Sequence, residues 1–151
     1  MIRFFKRKDF FSAAEKQRII AAIRSMEQQT SGQIRVYVEH KNPYVDPVER
    51  AKEKFHELNM QNTRHCNAVL LYIAVKHREL AVFADEGIYK ATGTGYWDGA
   101  VKTMIAAFKA GDICKGIEVS ISLAGQALKE KFPYEQANDK PELSDDIIYG
   151  E

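Results

Sequence analysis

Two apolar runs, separated by only three polar residues, constrain the fold of this chain more than any other feature. Residues 68–75 (AVLLYIAV) are almost continuously apolar, and residues 79–84 (ELAVFA) follow the break Lys76-His77-Arg78. An unbroken apolar run of this length is typical of a central strand that is covered on both faces. Because three residues leave room for a hairpin and not for a crossover, the two strands must be antiparallel.

A further strand and a helix precede this hairpin. Residues 33–39 (QIRVYVE) alternate polar and apolar side chains, which is typical of a strand with one buried face. In the segment Asp46-Pro47-Val48-Glu49, a capping Asp precedes a proline at the first helical position, and a helix to about residue 58 is predicted. Strand, helix and strand over 33–75 form a crossover unit, so the first two strands are parallel.

Three more helices complete the predicted fold. The first begins at Ser12, which forms a capping box with Glu15, and two others cover residues 95–110 and 112–131. We predict an α/β fold, a three-layer α/β/α sandwich with a small mixed β-sheet. The predicted domain covers residues 12–132, between an N-terminal tail (1–11) and an irregular C-terminal tail (133–151).

Charge and hydropathy exclude several classes of partner. The 151 residues include 22 Lys and Arg against 21 Asp and Glu, so no net field steers the chain onto nucleic acid. No apolar segment follows the basic N-terminus as a signal peptide requires, and no run of about 18 apolar residues could span a bilayer. We therefore expect no nucleic-acid partner, no transmembrane segment and a cytoplasmic location. Phe4 and Phe5 lie beside basic residues, so this segment could contact a membrane surface; the alternative is a frayed tail.

The two cysteines, Cys66 and Cys114, lie 48 positions apart and lack the spacing of a structural zinc site. We expect two free thiols in a reducing cytosol, with a single disulfide as the alternative. Cys66 follows His65, an arrangement that suggests a nucleophile only if the pKa of the thiol is lowered.

The predicted topology brings oxygen-bearing side chains to one end of the sheet. The first two strands begin at this end and the third strand ends there. Carboxylate, hydroxyl and amide oxygens are the ligands that Ca²⁺ and Mg²⁺ prefer, so a calcium or magnesium site is predicted here. Asp85 is the leading ligand, although Asp85-Glu86-Gly87 is also a common turn composition and Glu27 could face solvent. The candidate ligands are Asp85, Glu86 and Glu27, and the residues expected to line the site are Thr63, Arg64, Asn67 and Trp97.

The start of the 95–110 helix leaves its own alternatives open. Gly93-Thr94-Gly95 could hold a phosphate at a helix N-terminus, but it lacks the length of either phosphate-binding signature. Trp97, the single tryptophan, could serve as a lid, a stacking platform or a core residue. The four histidines are scattered over different elements, and no catalytic triad motif surrounds them.

Five blocks of residues, in order along the chain, resemble the TPM domain family. This family includes thylakoid-lumen and photosystem-repair proteins of plants and many bacterial proteins, and the chain is similar to a bacterial member. The blocks are Glu27-x-x-Thr30-Ser31-Gly32-Gln33-Ile34-x-Val36, Leu58-x-Met60-x-x-Thr63, Asn67-x-Val69-Leu70-Leu71-Tyr72-Ile73-Ala74, Asp85-x-Gly87-Ile88 and Tyr96-Trp97.

The resemblance implies a Rossmann-like sandwich, divalent-cation binding, calcium in particular, and the acid phosphatase activity of some plant members. These properties carry over chiefly to Asp85, with Glu27, Thr63 and Trp97 beside it. The chain has Gln33 where the family commonly has Glu, and this change weakens the phosphatase interpretation most. We therefore expect a cation-binding domain with an interaction or regulatory role and a protein partner; the alternative is a metal-assisted acid phosphatase.

Overall fold

The computed structural model describes residues 10–44, 46–135 and 147–150, and in these ranges the chain forms five helices and four strands. None of the described helices is long and apolar enough to cross a membrane. The elements in chain order are α1 (Ala13–Glu27), β1 (Gln33–Glu39), α2 (Pro47–Glu57), β2 (Ala68–Ala74), β3 (Glu79–Ala84), α3 (Glu86–Thr92), α4 (Thr94–Ala110), α5 (Ile113–Lys131) and β4 (Ile148–Tyr149).

The four strands form one mixed sheet in the order β3-β2-β1-β4. β1 and β2 are parallel, with Gln33 opposite Ala68, and β2 and β3 are antiparallel, with Val69 opposite Ala84. The predicted crossover and hairpin are therefore confirmed. The capping box between Ser12 and Glu15 is also formed.

The two faces of the sheet are buried by different helices. On one face, apolar side chains of β1 and β2 pack in a large core with residues of α1, α4 and α5, including Ile23, Phe108 and Ile121. On the other face, Tyr72 packs in a smaller core with Phe55 of α2. The sheet is the middle layer of an α/β/α sandwich, as predicted.

β1 is more deeply buried than its alternating pattern predicts. All seven of its residues are buried, including the polar Gln33, Arg35 and Glu39. The prediction of one exposed face was wrong because both charged side chains are neutralised by partners on helices: Arg35 pairs with Glu27, and Glu39 pairs with Arg50.

A short helix, α3, stands where the sequence predicted a turn. Asp85 is its N-cap, with the Asp85 side chain accepting a hydrogen bond from the Glu86 amide. At the next position, a Cβ on Gly87 would overlap the carbonyl oxygens of His65 and Cys66, so only glycine allows α3 to approach this loop. α3 is seven residues long, too short for a helical period to be recognised in the sequence.

The predicted C-terminal tail contains a strand. β4 pairs in parallel with β1, and this part of the tail is not irregular as expected. Two residues are too few for a strand signal. Residues 1–9 and 136–146 of the predicted tails lie outside the described residues.

Candidate functional site

Asn67 and Asp85 lie at the same end of the sheet, the end where the sequence predicted a cation site. Asn67 immediately precedes β2 and Asp85 immediately follows β3. The Asp85 amide donates to the carbonyl of Ala68, and the Asn67 carbonyl accepts from the amide of Gln33. The backbone ladder therefore holds both side chains at one end of the sheet.

Each of these two side chains has a buried oxygen atom with no hydrogen-bond partner among the described residues: Oδ1 of Asn67 and Oδ2 of Asp85. The Asn67 side chain is fully buried and donates its amide Nδ2 to Oγ of Ser31 at 3.4 Å. Asp85 uses only Oδ1, which accepts from the Glu86 amide at 2.8 Å. Because unpaired buried acceptors are costly, the two oxygens require either a water molecule or a cation.

Glu27 has an intramolecular partner. Its Oε2 accepts from the Arg35 guanidinium at 2.7 Å and from the Ile34 amide at 3.1 Å. Arg35 also donates to the Ile34 carbonyl. The pair therefore binds both backbone groups of Ile34, and the carboxylate charge is balanced by a guanidinium whose side chain is only 1% exposed.

The other predicted residues are dispersed. Glu86 points outward, with 70% of its side chain exposed and Lys90 3.9 Å away. Thr63 accepts a hydrogen bond from the backbone amide of Asn67 at 3.4 Å, whereas Arg64 is exposed on the same loop. Trp97 is 2% exposed within the large core, the core alternative of the three that the sequence left open.

No group of three or more His, Cys, Asp or Glu side chains that could hold a metal occurs within residues 10–44, 46–135 and 147–150. A cation at this end would therefore be held by the Asp85 carboxylate together with neutral oxygens. The sequence analysis named Asp85 and Asn67 as site residues but did not single out Ser31, whose hydroxyl accepts a hydrogen bond from the Asn67 side chain.

Comparison with known proteins identifies the family. The family model of the TPM domain matches residues 5–127. The chain belongs to the TPM domain family. Among solved structures, it is similar to the NMR structure of the BA42 protein from the psychrophilic bacterium Bizionia argentinensis, with 36% identity and a TM-score of 0.85. The match covers 96% of this chain and 99% of that chain. No curated protein matches.

A small cleft of about 130 Å³ opens between the end of α3, the start of α4 and the end of α5 of this TPM domain. Tyr96, at the rim, is 54% exposed. Gly93, the residue before α4, has a φ of +85° and no side chain that could cap the helix. The residues lining the cleft are Thr92, Tyr96, Ala127, Glu130 and Lys131.

The two cysteines of the TPM domain are free and lie in different parts of the fold. Cys66 has a positive φ of 50° in the loop that contacts α3, and neighbouring His65 lies with its ring 6.1 Å from that of Phe132, just after α5. Cys114 lies in the first turn of α5, where burial raises the pKa of its thiol to about 11. That thiol is therefore protonated, and not nucleophilic, at neutral pH.

The opposite end of the sheet carries an ion-pair network around Glu39. Glu39 accepts two hydrogen bonds from Arg50, at 2.8 and 2.9 Å, and a third from the Tyr72 hydroxyl. Burial works to raise the pKa of Glu39, but the hydrogen bonds from Arg50 and Tyr72 outweigh it and lower the pKa. This carboxylate is fully engaged within the protein.

Proposed function

We propose that this TPM domain binds a divalent cation, calcium or magnesium, at the end of the sheet where Asp85 and Asn67 lie. The observation that carries the proposal is the pair of buried, unpaired oxygens, Asp85 Oδ2 and Asn67 Oδ1. Asp85 also lacks an ion-pair partner among the described residues, so its negative charge favours a cation over a neutral water molecule.

The donor chemistry fits a hard cation. Calcium takes six to eight oxygen ligands and magnesium six, mixing carboxylate, amide, hydroxyl and water oxygens. Asp85 would supply the charge, and Asn67, which donates hydrogen bonds to the hydroxyls of Ser31 and Thr63, would supply a neutral oxygen from the same end of the sheet. One carboxylate among neutral ligands predicts weak binding, with a Kd of about 10⁻⁴–10⁻³ M.

The test uses calorimetry on chelator-treated protein titrated with CaCl₂ and, separately, with MgCl₂. Asp85→Asn removes the charge but keeps the helix cap, because Asn caps as well as Asp. The matched control is Asp112→Asn, since Asp112 caps α5 in the same way through the amide of Cys114, far from the site. We expect saturable binding by the wild type and by Asp112→Asn, and none by Asp85→Asn.

Asn67→Ala provides an independent check on the second oxygen. Loss of that ligand should weaken binding while Asp85 still provides the charge. At a hundredfold excess over Kd, bound cation adds about 2.7 kcal/mol to the free energy of unfolding, so the melting temperature reports the same result. Equal affinity in the wild type and Asp85→Asn would refute the proposed site.

We infer an interaction or regulatory role for the bound cation, with a protein partner, in a cytoplasmic location. A cation bound by Asp85 and Asn67 would link α3 to the loop that precedes β2. α3 contacts both α4 and α5, so an ion at its N-terminus would order surfaces beyond the site itself. Hydrogen exchange of residues 63–92 with and without CaCl₂ measures this effect, and unchanged exchange would argue against regulation.

The alternative is a metal-assisted acid phosphatase. In such a reaction a bound cation would polarise a phosphoryl oxygen. Asp85 and Asn67 would hold the ion in this case too, so the same variants discriminate. Hydrolysis of p-nitrophenyl phosphate that needs the cation and is lost in Asp85→Asn, but not in Asp112→Asn, would favour the enzyme over the regulatory domain.

A further inference from the structure

The C-terminal strand β4 occupies a shaped position on the outer edge of β1. Tyr37 lies opposite Ile148 and Val38 opposite Tyr149, and the Gly150 amide donates to the Val38 carbonyl at 2.8 Å. Among the described residues, β4 has no other neighbouring strand, because it is the last strand in the order β3-β2-β1-β4. Its attachment to the domain is therefore short and local.

The space beside β1 restricts which residues β4 and its flanking positions can carry. A Cβ on Gly150 would overlap the Tyr37 hydroxyl and lie 3.0 Å from the Cβ of Glu39. Tyr37 cannot easily move away, because its ring stacks on that of Tyr72 with centroids 6.0 Å apart. At the other end of the segment, Ile147 is 5% exposed in the large core. The edge thus selects an extended segment with isoleucine first and glycine three residues later.

The two described points on either side of residues 136–146 lie closer together than the intervening number of residues can span. Pro133 pairs with Thr30 and Ile148 pairs with Tyr37, two points seven residues apart on the β1 side, or about 23 Å at strand spacing. The fifteen residue steps from Pro133 to Ile148 can extend to about 50 Å. The difference between these two lengths is enough for residues 147–150 to reach a neighbouring copy of the chain.

We propose that the outer edge of β1 is a docking groove for an extended segment, and that residues 147–150 of a second copy of this chain can replace those of the first. The result is a strand-exchanged dimer. A second copy is the favoured occupant because it carries the matching Ile-x-x-Gly sequence, and exchange of an identical element makes no contacts that the monomer lacks. Release of a two-residue strand breaks few hydrogen bonds, so exchange has a low energetic cost.

The experiment uses the full chain and a fluorescent peptide of residues 141–151 (PELSDDIIYGE), with binding read by anisotropy. In a Gly150→Val chain the resident segment no longer fits, so the groove is open and the labelled peptide should bind at least tenfold more tightly than to the wild type. The control chain is Gly99→Val, because Gly99 has open space around it and is remote from β1. A peptide that carries the Gly150→Val change should not bind.

The second copy is tested on the wild type directly, by light scattering up to millimolar concentration. A dimer that grows with concentration and dissociates when the peptide is added supports the exchange. A strictly monomeric wild type would overturn it, even if the peptide binds. Absence of peptide binding to a folded Gly150→Val chain would overturn the groove itself; if that variant does not fold, a wild type that stays monomeric up to millimolar concentration overturns the proposal by itself.

Discussion

Glu27→Gln tests whether a carboxylate that the sequence assigned to the cation site stabilises the fold instead. Gln keeps an oxygen that can accept the Ile34 amide, but it removes the charge that balances Arg35. Because the Arg35 side chain is 1% exposed and that of Glu27 is 12% exposed, the pair is largely removed from solvent. Breaking a buried ion pair by removing one partner costs about 3–5 kcal/mol, and we expect about 3 because Glu27 retains some exposure.

The assay is urea unfolding in EDTA and again in saturating CaCl₂. The expected loss in EDTA corresponds to a fall of about 6–12 °C in the melting temperature of a domain of this size. The calcium-induced increase in stability should be the same in Glu27→Gln and in the wild type, since Glu27 is committed to Arg35. The exposed pair between Arg18 and Glu118 provides the control, and Glu118→Gln should cost less than about 1 kcal/mol.

Two results would refute this reasoning in different ways. If Glu27→Gln is as stable as the wild type in EDTA but gains nothing from calcium, Glu27 is a ligand, as the sequence suggested. If the double variant Glu27→Gln, Arg35→Met is less stable than Glu27→Gln alone, the penalty does not come from an uncompensated guanidinium. We expect the double variant to recover stability, because an apolar side chain tolerates burial without a partner.

The remaining predictions concern helix packing and pH. Gly99→Ala should add about 0.5–1 kcal/mol to the free energy of unfolding, since Gly99 has open space around it in α4. Gly116→Ala should instead lose about 1–3 kcal/mol, because its Cβ would lie 2.5 Å from the Cα of Phe108 and separate α5 from α4; equal effects by urea unfolding would contradict this. Burial acts to raise the pKa of Glu39, but the hydrogen bond from Arg50 lowers it below its ordinary 4.5. The ionised carboxylate therefore stabilises the fold above that pH, and this stabilisation is lost as the pH falls. Unfolding free energies measured between about pH 5 and pH 3 should therefore fall less in Glu39→Gln than in the wild type.

The sheet topology could be predicted from the sequence because it depends on short patterns of neighbouring residues. The three-residue break 76–78 permits only a hairpin, and Asp46 and Pro47 begin a helix that makes β1 and β2 parallel. The environment of Arg35 could not be read in the same way. It stands at a polar position of an alternating strand, which indicates solvent exposure, and its partner Glu27 lies eight residues earlier on another element. An ion pair between two different elements produces no periodic pattern in the sequence, so it could not be predicted.

Comparison of three carboxylates at the sheet explains why we propose Asp85, and not Glu27 or Glu39, as the cation ligand. Glu27 is balanced by Arg35 and Glu39 by Arg50, so each of these charges is satisfied within the fold. Asp85 has no such arginine among the described residues, and its free oxygen lies at the same end as the free oxygen of Asn67.

The other unpaired groups at the sheet differ in chemistry from those beside Asp85. At the opposite end, Glu79 Oε1 and Asn42 Nδ2 also lack partners among the described residues, but one accepts and the other donates. A water molecule can satisfy either group, because water both donates and accepts hydrogen bonds. Two acceptors, one of them on an unbalanced carboxylate, are stabilised most by a cation. The arrangement of partners, more than the number of acidic residues, is therefore the reason for proposing Asp85 as the cation ligand.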